Sequence, residues 1–549
     1  MPPTLARLLA KLKDRARSSY EQGALFEGFL AKYFEIDPYF AALFDQVWRW
    51  ESWPGKDGPD IGIYLVAREA DTGNLWFIQA KFCDQDAQLT FEDIATFLAA
   101  SDRSPFATRL IVSTTSHWAA AAERVLECQR TPVKRLSLQE VAQSHLDWQA
   151  FDPDHLDSLR RLGRKASCPH EVEAIEDVLT RFAEHLRGQL IMPCGTGKTS
   201  TALRIAEGLV ADDGVVLLLA PSISLLSQTL REWTADAQRS LASVVVCSDQ
   251  TTGRRSEDEL EEHTYDLIAP ATTDPQQIGR YLQLSLAPGS LRAIFATYQS
   301  IDKVADAQEQ GLIPEIDLVI GDEAHRIAGH GNQAGDQTGS LFQFVHDNQK
   351  LRARKRLYMT VTSKVFAPEA KDKAQEQQVM VWSIDDEQVF GPEFYRLTFG
   401  TAVNRDLLSD YRVLVLLEPE GEATQALQEA TGHKQFSLQQ YTDAAKLAAC
   451  WRAFNGEVER DELHQSERVA TMHRVVGYVG TIKDSRALKD FFPQVVEELF
   501  EAPNLNVEHV DGSQSALVRS NALGWVLDQY RVRTDSDSDI TLDPQRGVC

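Results

Sequence analysis

Eight residues, Met192-Pro193-Cys194-Gly195-Thr196-Gly197-Lys198-Thr199, stand between an apolar run that begins at Gly188 and a helix-like run that follows Ser200. A glycine-rich turn between strand and helix leaves backbone N–H groups and the positive helix end free to face a triphosphate. In that arrangement Gly195, Thr196, Gly197 and Ser200 form the cradle, Lys198 reaches the β- and γ-phosphates, and Thr199 offers its hydroxyl to Mg²⁺. A second set, Asp322-Glu323-Ala324-His325, closes the apolar run that starts at Asp317. There Asp322 suits the Mg²⁺ shell and Glu323 suits polarisation of an attacking water. A third set lies nearer the N-terminus, where Asp60 precedes a hairpin whose second arm carries Gln79 and Lys81. Strand alternation puts Gln79 and Lys81 on one face beside the first acid, so that this face holds Mg²⁺ at Asp60 while Lys81 orients water.

These sets need elements to hold them. At 549 residues the chain is long enough for three or four cores. Residues 1–150 read as helix, strand, turn, strand, helix, strand, with Asp71, Thr72, Gly73 and Asn74 turning the hairpin. Residues 151–168 are polar and basic and read as a linker. From 169 to 393, five apolar strand candidates alternate with longer helical segments, which implies a doubly wound parallel sheet. A further α/β block occupies 394–530, and 531–549 is a polar tail without strong period.

Composition narrows the classes. Hydrophobic residues at 43% and charged residues at 25% describe an ordinary globular chain, and no apolar run is long enough to span a bilayer. The basic, amphipathic start reads as helix rather than secretory signal, and the protein as cytoplasmic, with no membrane partner. Seven cysteines without a CxxC pair indicate neither a zinc site nor a disulfide framework. A net charge of −25 opposes indiscriminate adhesion to nucleic acid and leaves room for a local groove that holds a strand.

The glycine turn, the Asp-Glu-Ala-His set, and the segments from Ala220 and from Phe295 together resemble superfamily 2 helicases of the restriction-enzyme branch over most of residues 169–525. The resemblance implies two RecA-like motor domains that use ATP and Mg²⁺ to move on double-stranded DNA. It implies phosphate-backbone contacts at Ser222, Gln228, Thr297 and Gln299, a coupling role for His325, and an adenine-facing segment at His170. Segments from Arg474 and His509 resemble early motifs of the second motor domain. The Asp60, Gln79, Lys81 set is the PD-(D/E)xK arrangement, and Glu27 resembles the added acid of Mrr-like nucleases. The domain order is similar to the N-terminal half of single-polypeptide type I restriction enzymes, which places the chain in phage defence. Methyltransferase or specificity modules, or a chain completing the second motor domain, are the implied partners.

Departures from the pattern define the alternative. Glu171 stands where the family carries glutamine, and a carboxylate has no donor for adenine N7. The coupling motif reads Thr360-Val361-Thr362-Ser363, without its proline. Counting across the turn sets Tyr64 opposite Lys81, where Mrr-like chains often place aspartate, so either Asp57 or Asp60 substitutes or the domain does not cut. The late motifs with the arginine finger are missing, which gives the expectation of a truncated second motor domain. Two readings follow: a working ATP-dependent motor with a nuclease, or a non-catalytic nucleotide- and DNA-binding remnant or subunit. Local structural roles compete at each position, with a solvated acid turn at 322–323 and strand-end caps at Ser222 and Thr297.

Overall fold

The computed structural model describes residues 3–56, 58, 64–84, 87–102, 106–115, 117–248, 267–284, 288–327, 329–331, 344–361, 380–410, 438–455, 475–478, 482–500, 507 and 509–510. These fall into two compact units, one reaching Ser409 and the other beginning at Asp410.

The first unit opens with helices α1 (Pro3–Arg15), α2 (Ser19–Ile36) and α3 (Pro38–Leu43). Ser18 caps α2 by accepting from Glu21 N–H, and Asp37 caps α3 by accepting from Tyr39 and Phe40, so both turns leave few orphan donors. Strands β1 (Phe44–Arg49), β2 (Leu65–Glu69), β3 (Leu75–Lys81), β4 (Gln88–Leu89), β5 (Phe106–Ser113), β6 (His117–Trp118) and β7 (Val133–Ser137) follow, with α4 (Phe91–Ser101), α5 (Ala120–Glu127) and α6 (Leu138–Ala142) between or after them. Five strands make a mixed sheet in the order β1-β2-β3-β5-β7, antiparallel up to β3 and parallel beyond it. Trp76, Ile78 and Ala80 point into the core under α1 and α2, and Phe77, on the other face, meets Trp50 and Phe106.

The hairpin forms as expected, but its register corrects the count across the turn. Leu65 pairs with Ile78, because the turn closes Glu69 on Asn74 with Gly73 at φ +72°. Continued by one residue, this register faces Tyr64 with Gln79 rather than Lys81. The expected linker is also partly folded. Leu146 bridges to Arg161, Phe151 and Leu159 are buried, and Arg161 donates to Ile36 O (2.6 Å), so the chain through Leu162 belongs to the first sheet's core.

Beyond it lies a sheet in which every neighbouring pair is parallel: β11 (Ala271–Thr272), β10 (Leu241–Val246), β12 (Leu291–Thr297), β9 (Val215–Ala220), β13 (Ile316–Gly321), β15 (Ala353–Thr360), β8 (Arg187–Ile191) and β17 (Glu393–Arg396), in that order. All five strand candidates read from the sequence are here, with β10, β11 and β17 added. Helices α7 (Pro169–Arg181), α8 (Lys198–Leu209), α9 (Ile223–Asp236), α10 (Pro275–Leu282) and α11 (Ile301–Glu309) supply crossovers and cover. A short β14 (Gly329–Gly331) pairs with β16 (Met380–Trp382) outside this sheet. The boundary expected between 393 and 394 falls inside β17, whose Phe394 ring fills the space a Cβ on Gly188 would occupy, 2.3 Å away.

In the second unit, helices Leu438–Phe454 and Ile482–Phe500 pack through Leu447, Phe492, Val495 and Val496. Val475 to Tyr478, read as part of a strand, carry no strand assignment and stand exposed. The strand expected from Tyr411 and most of the segment from His509 lie outside the described residues.

Within the first unit, α9 also meets the first sheet's helices. The Arg231 guanidinium lies 6.0 Å from the Tyr39 and Phe40 ring centroids and donates to Glu140 O (3.3 Å), while its other terminal nitrogen is sealed from solvent without an acceptor. Burial pushes the nearby Asp37 carboxyl up and the Arg231 charge pulls it back. Replacing Arg231 with Ala removes two cation–π contacts and the stem's packing, and should loosen this seam. Trypsin cleavage at the exposed Arg160, Arg161, Arg164 and Lys165 is then expected to run several-fold faster; an unchanged rate would show that the seam does not depend on Arg231.

Candidate functional site

The glycine turn leaves β8 at its C-terminal end and enters α8 at Lys198. Gly195 and Gly197 hold φ of +80° and +83°, a region open to glycine and strained for other residues. Gly197 is further constrained, because a Cβ there would lie 1.8 Å from Glu171 Oε1. Thr196 turns inward: its hydroxyl donates to Pro193 O (2.8 Å), and its carbonyl accepts from His170 Nε2 (2.9 Å), which fixes that nitrogen as the protonated one. Glu171 accepts from Cys168 N–H (2.7 Å) and so caps α7 against the turn. His170 and Glu171 therefore brace the loop from beneath.

Lys198 folds back over the turn, with Nζ 3.3 Å from Met192 O and 3.9 Å from Glu323 Oε1. Thr199 and Ser200 open α8 half-buried, and Thr199 O accepts from Trp233 Nε1 (3.1 Å). Asp322 and Glu323 follow β13 at the same sheet edge. Asp322 N–H donates to Leu219 O (2.9 Å), its carbonyl accepts from Tyr298 Oη (2.7 Å), and its Oδ1 accepts from Glu323 N–H (2.9 Å). Glu323 sits at φ +49°, in the left-handed region, which aims its carboxylate back toward Lys198. His325 Nδ1 lies 3.2 Å from both Glu323 Oε2 and Thr360 Oγ1, so Glu323 and the end of β15 meet on one imidazole. Thr362 and Ser363 lie outside the described residues.

Burial, with the Glu323 charge adding to it, raises the Asp322 carboxyl to about 6, against the pull of Glu323 N–H and Lys198.

Of the four expected backbone contacts, Ser222 caps α9 by accepting from Leu225 N–H (3.3 Å) and Thr297, almost fully buried, donates to Ser300 Oγ (3.2 Å). Gln228 is bonded to Glu232 on the exposed side of α9, and Gln299 is half-buried with its Oε1 lacking a partner. Sequence reasoning passed over Tyr298 and Gly321, although a tyrosine between two polar residues just past a strand was the available signal.

In the first sheet, Gln79 is buried on β3 and Lys81 stands at its C-terminal end. The Lys81 charge helps hold Asp93 below the usual carboxylate range, after the Thr90 N–H bond that dominates there. Glu27 is on α2, next to Phe26, whose ring meets Phe82, beside Lys81, edge-on at 5.5 Å. Asp60 and Asp57 lie outside the described residues.

Comparison with known proteins matches residues 35–158 to a restriction endonuclease family of Mrr type and residues 165–365 to the type III restriction enzyme res subunit. The chain joins a restriction-type nuclease domain to a restriction-type helicase domain. A solved structure of the ATP-dependent Type ISP restriction-modification enzyme LlaBIII bound to DNA superposes on 96% of this chain with a TM-score of 0.80 and 30% identity. A probable helicase of African swine fever virus is 26% identical over 234 residues, 43% of this chain. The matches take in 33% of the restriction enzyme and 22% of the viral protein, so this chain spans a minority of either. Among the described residues no helix is long and apolar enough to cross a membrane.

The raised Asp322 carboxyl sets a test of this restriction-type site. Its folded value lies above the ordinary 3.8, so the native state holds an extra proton between the two and loses stability as pH rises through that window. Asp322→Asn removes the buried charge. In nucleotide-free protein its Tm should exceed that of the parent by a few degrees at about pH 7.5, with the gap closing below about pH 4. Equal melting at both pH values would contradict the assigned burial.

Proposed function

We propose that this chain is a DNA-stimulated ATPase of a restriction system, in which a RecA-like motor acts on double-stranded DNA and the fused domain is a Mg²⁺-dependent nuclease. The observation that carries the reading is the meeting of Lys198 with Glu323 and Asp322 at the C-terminal edge of one parallel sheet, the edge where doubly wound folds keep their ligands. Gly195, Gly197 and the N–H groups opening α8 form a cradle for a triphosphate, with Thr196 and His170 bracing it. On binding, Lys198 would exchange its carbonyl partner for phosphate oxygens. Thr199 and Asp322 are the groups suited to hold Mg²⁺, and the raised Asp322 carboxyl fits an acid that a cation would return to its charged form. The metal would neutralise charge on the phosphates. Glu323, fixed by Lys198 and His325, is placed to orient water.

The enzyme bound to DNA that superposes on this chain supports DNA as the partner; the segments after β9 and β12 are the proposed contact, chiefly through Gln228 and Gln299 and main-chain groups. Methyltransferase or specificity modules are further proposed partners. In the fused domain, Gln79, Lys81 and Glu27, with Asp60, are the proposed nuclease set.

The test is ATP hydrolysis by the purified chain with and without duplex DNA, beside Lys198→Ala. Duplex should stimulate turnover in the parent, and the variant should lose nucleotide binding while melting normally; retention of ATP affinity would remove the phosphate-site assignment. Lys81→Ala should abolish Mg²⁺-dependent cleavage of plasmid DNA and leave ATP turnover in place.

A further inference from the structure

The peptide of Asp322 is held from two sides by the two segments proposed to touch DNA. Its N–H donates to Leu219 O, near the end of β9 and three residues before Ser222. Its carbonyl accepts from the phenol of Tyr298, which lies between Thr297 and Gln299 in the turn (Tyr298–Ser300) after β12. Tyr298 is 1% exposed, so this bond is made away from solvent. Gly321 leaves room for this contact: a Cβ there would lie 2.9 Å from Tyr298 Oη. The next residue, Glu323, is held in the left-handed region, where a small change in the preceding peptide swings its carboxylate. Thr297, tied to Ser300, and Gln299 belong to the same short turn as Tyr298, so that turn cannot move without carrying the phenol.

We infer that Tyr298 is a positioning residue that passes the state of the DNA-contacting turn to the Asp322–Glu323 peptide, so that duplex binding sets the hydrolytic acids. The inference rests on the ATPase reading above. It concerns a neutral hydrogen bond in the interior, whose loss corresponds to about a five- to tenfold change in a rate that depends on it.

The full-length chain, Tyr298→Phe and Gly321→Ala are compared for ATP KM and for kcat with and without saturating duplex. Tyr298→Phe keeps the ring in the core and removes only the hydroxyl; Gly321→Ala presses on that hydroxyl from the strand and reaches the same contact if the first variant folds poorly. The expected result is a parent stimulated by duplex, and variants whose ratio of stimulated to unstimulated kcat falls about five- to tenfold with ATP KM within about twofold. A ratio equal to the parent's, whether both rates hold or both fall together, would overturn the inference and leave Tyr298 a packing residue, with the ATPase reading intact. Absence of duplex stimulation in the parent would instead remove that reading and this inference with it.

Discussion

The parallel ladder that sets β9, β13, β15 and β8 side by side is the constraint on which the site depends. Parallel neighbours present all their C-terminal ends on one edge, about 4.8 Å apart. Leu219 pairs with Gly321, Gly321 with Tyr358, and Thr360 with Ile191. The residues that follow β13, β15 and β8 are Asp322, Val361 and the glycine turn, which are remote in sequence and adjacent in space. A strand inserted into this run, or one reversed, would separate Lys198 from Glu323 whatever the loops did.

Charge in the interior is handled in two ways. Arg356 and Arg187 give their donors to backbone carbonyls of Val345, Leu351, Val389 and His346, and His346, pushed down to about 3 by burial and by those two cations, stays neutral beside Tyr358. That cluster is structural, because four guanidinium nitrogens find carbonyls without a second charge. Asp322 is the opposite case, a partly buried carboxylate with one N–H and a distant ammonium as its relief. Arg231, at the seam with the first sheet, lies between these extremes.

The seam also bears on how the two domains work together. Helix α9 bonds to the first turn of α8 through Trp233 and to the first sheet's helices through Arg231, two residues earlier. With Lys165 N–H on Asp236, the connecting chain is tied to the same helix. The nuclease-type domain is therefore packed against the helicase-type domain rather than hung from a flexible tether.

The glycine turn, the acid pair and the strand–helix alternation were legible in the sequence because each is a local matter. Glycine at Gly195 and Gly197 answers a φ requirement, the apolar runs at 215–220 and 316–321 report strands buried on both faces, and Asp71 to Asn74 announce a turn. The hairpin's register was not legible, since the pairing of Leu65 with Ile78 follows from which residues close the turn. Nor were the fold-back of 151–162, the place of β17 at the sheet edge, or the packing of Phe394 over Gly188, all of which depend on partners far along the chain. Residue types and spacing by themselves determined that this protein has a glycine turn between strand and helix, an acid pair and a QxK hairpin, because backbone conformation and strand period are written within a few residues. Only the tertiary structure decided that Glu171 and His170 brace the turn, that Tyr298 and Leu219 hold Asp322, and that Arg231 joins the domains, because these are contacts between distant segments, and their geometry exists only once the sheet has brought the segments together.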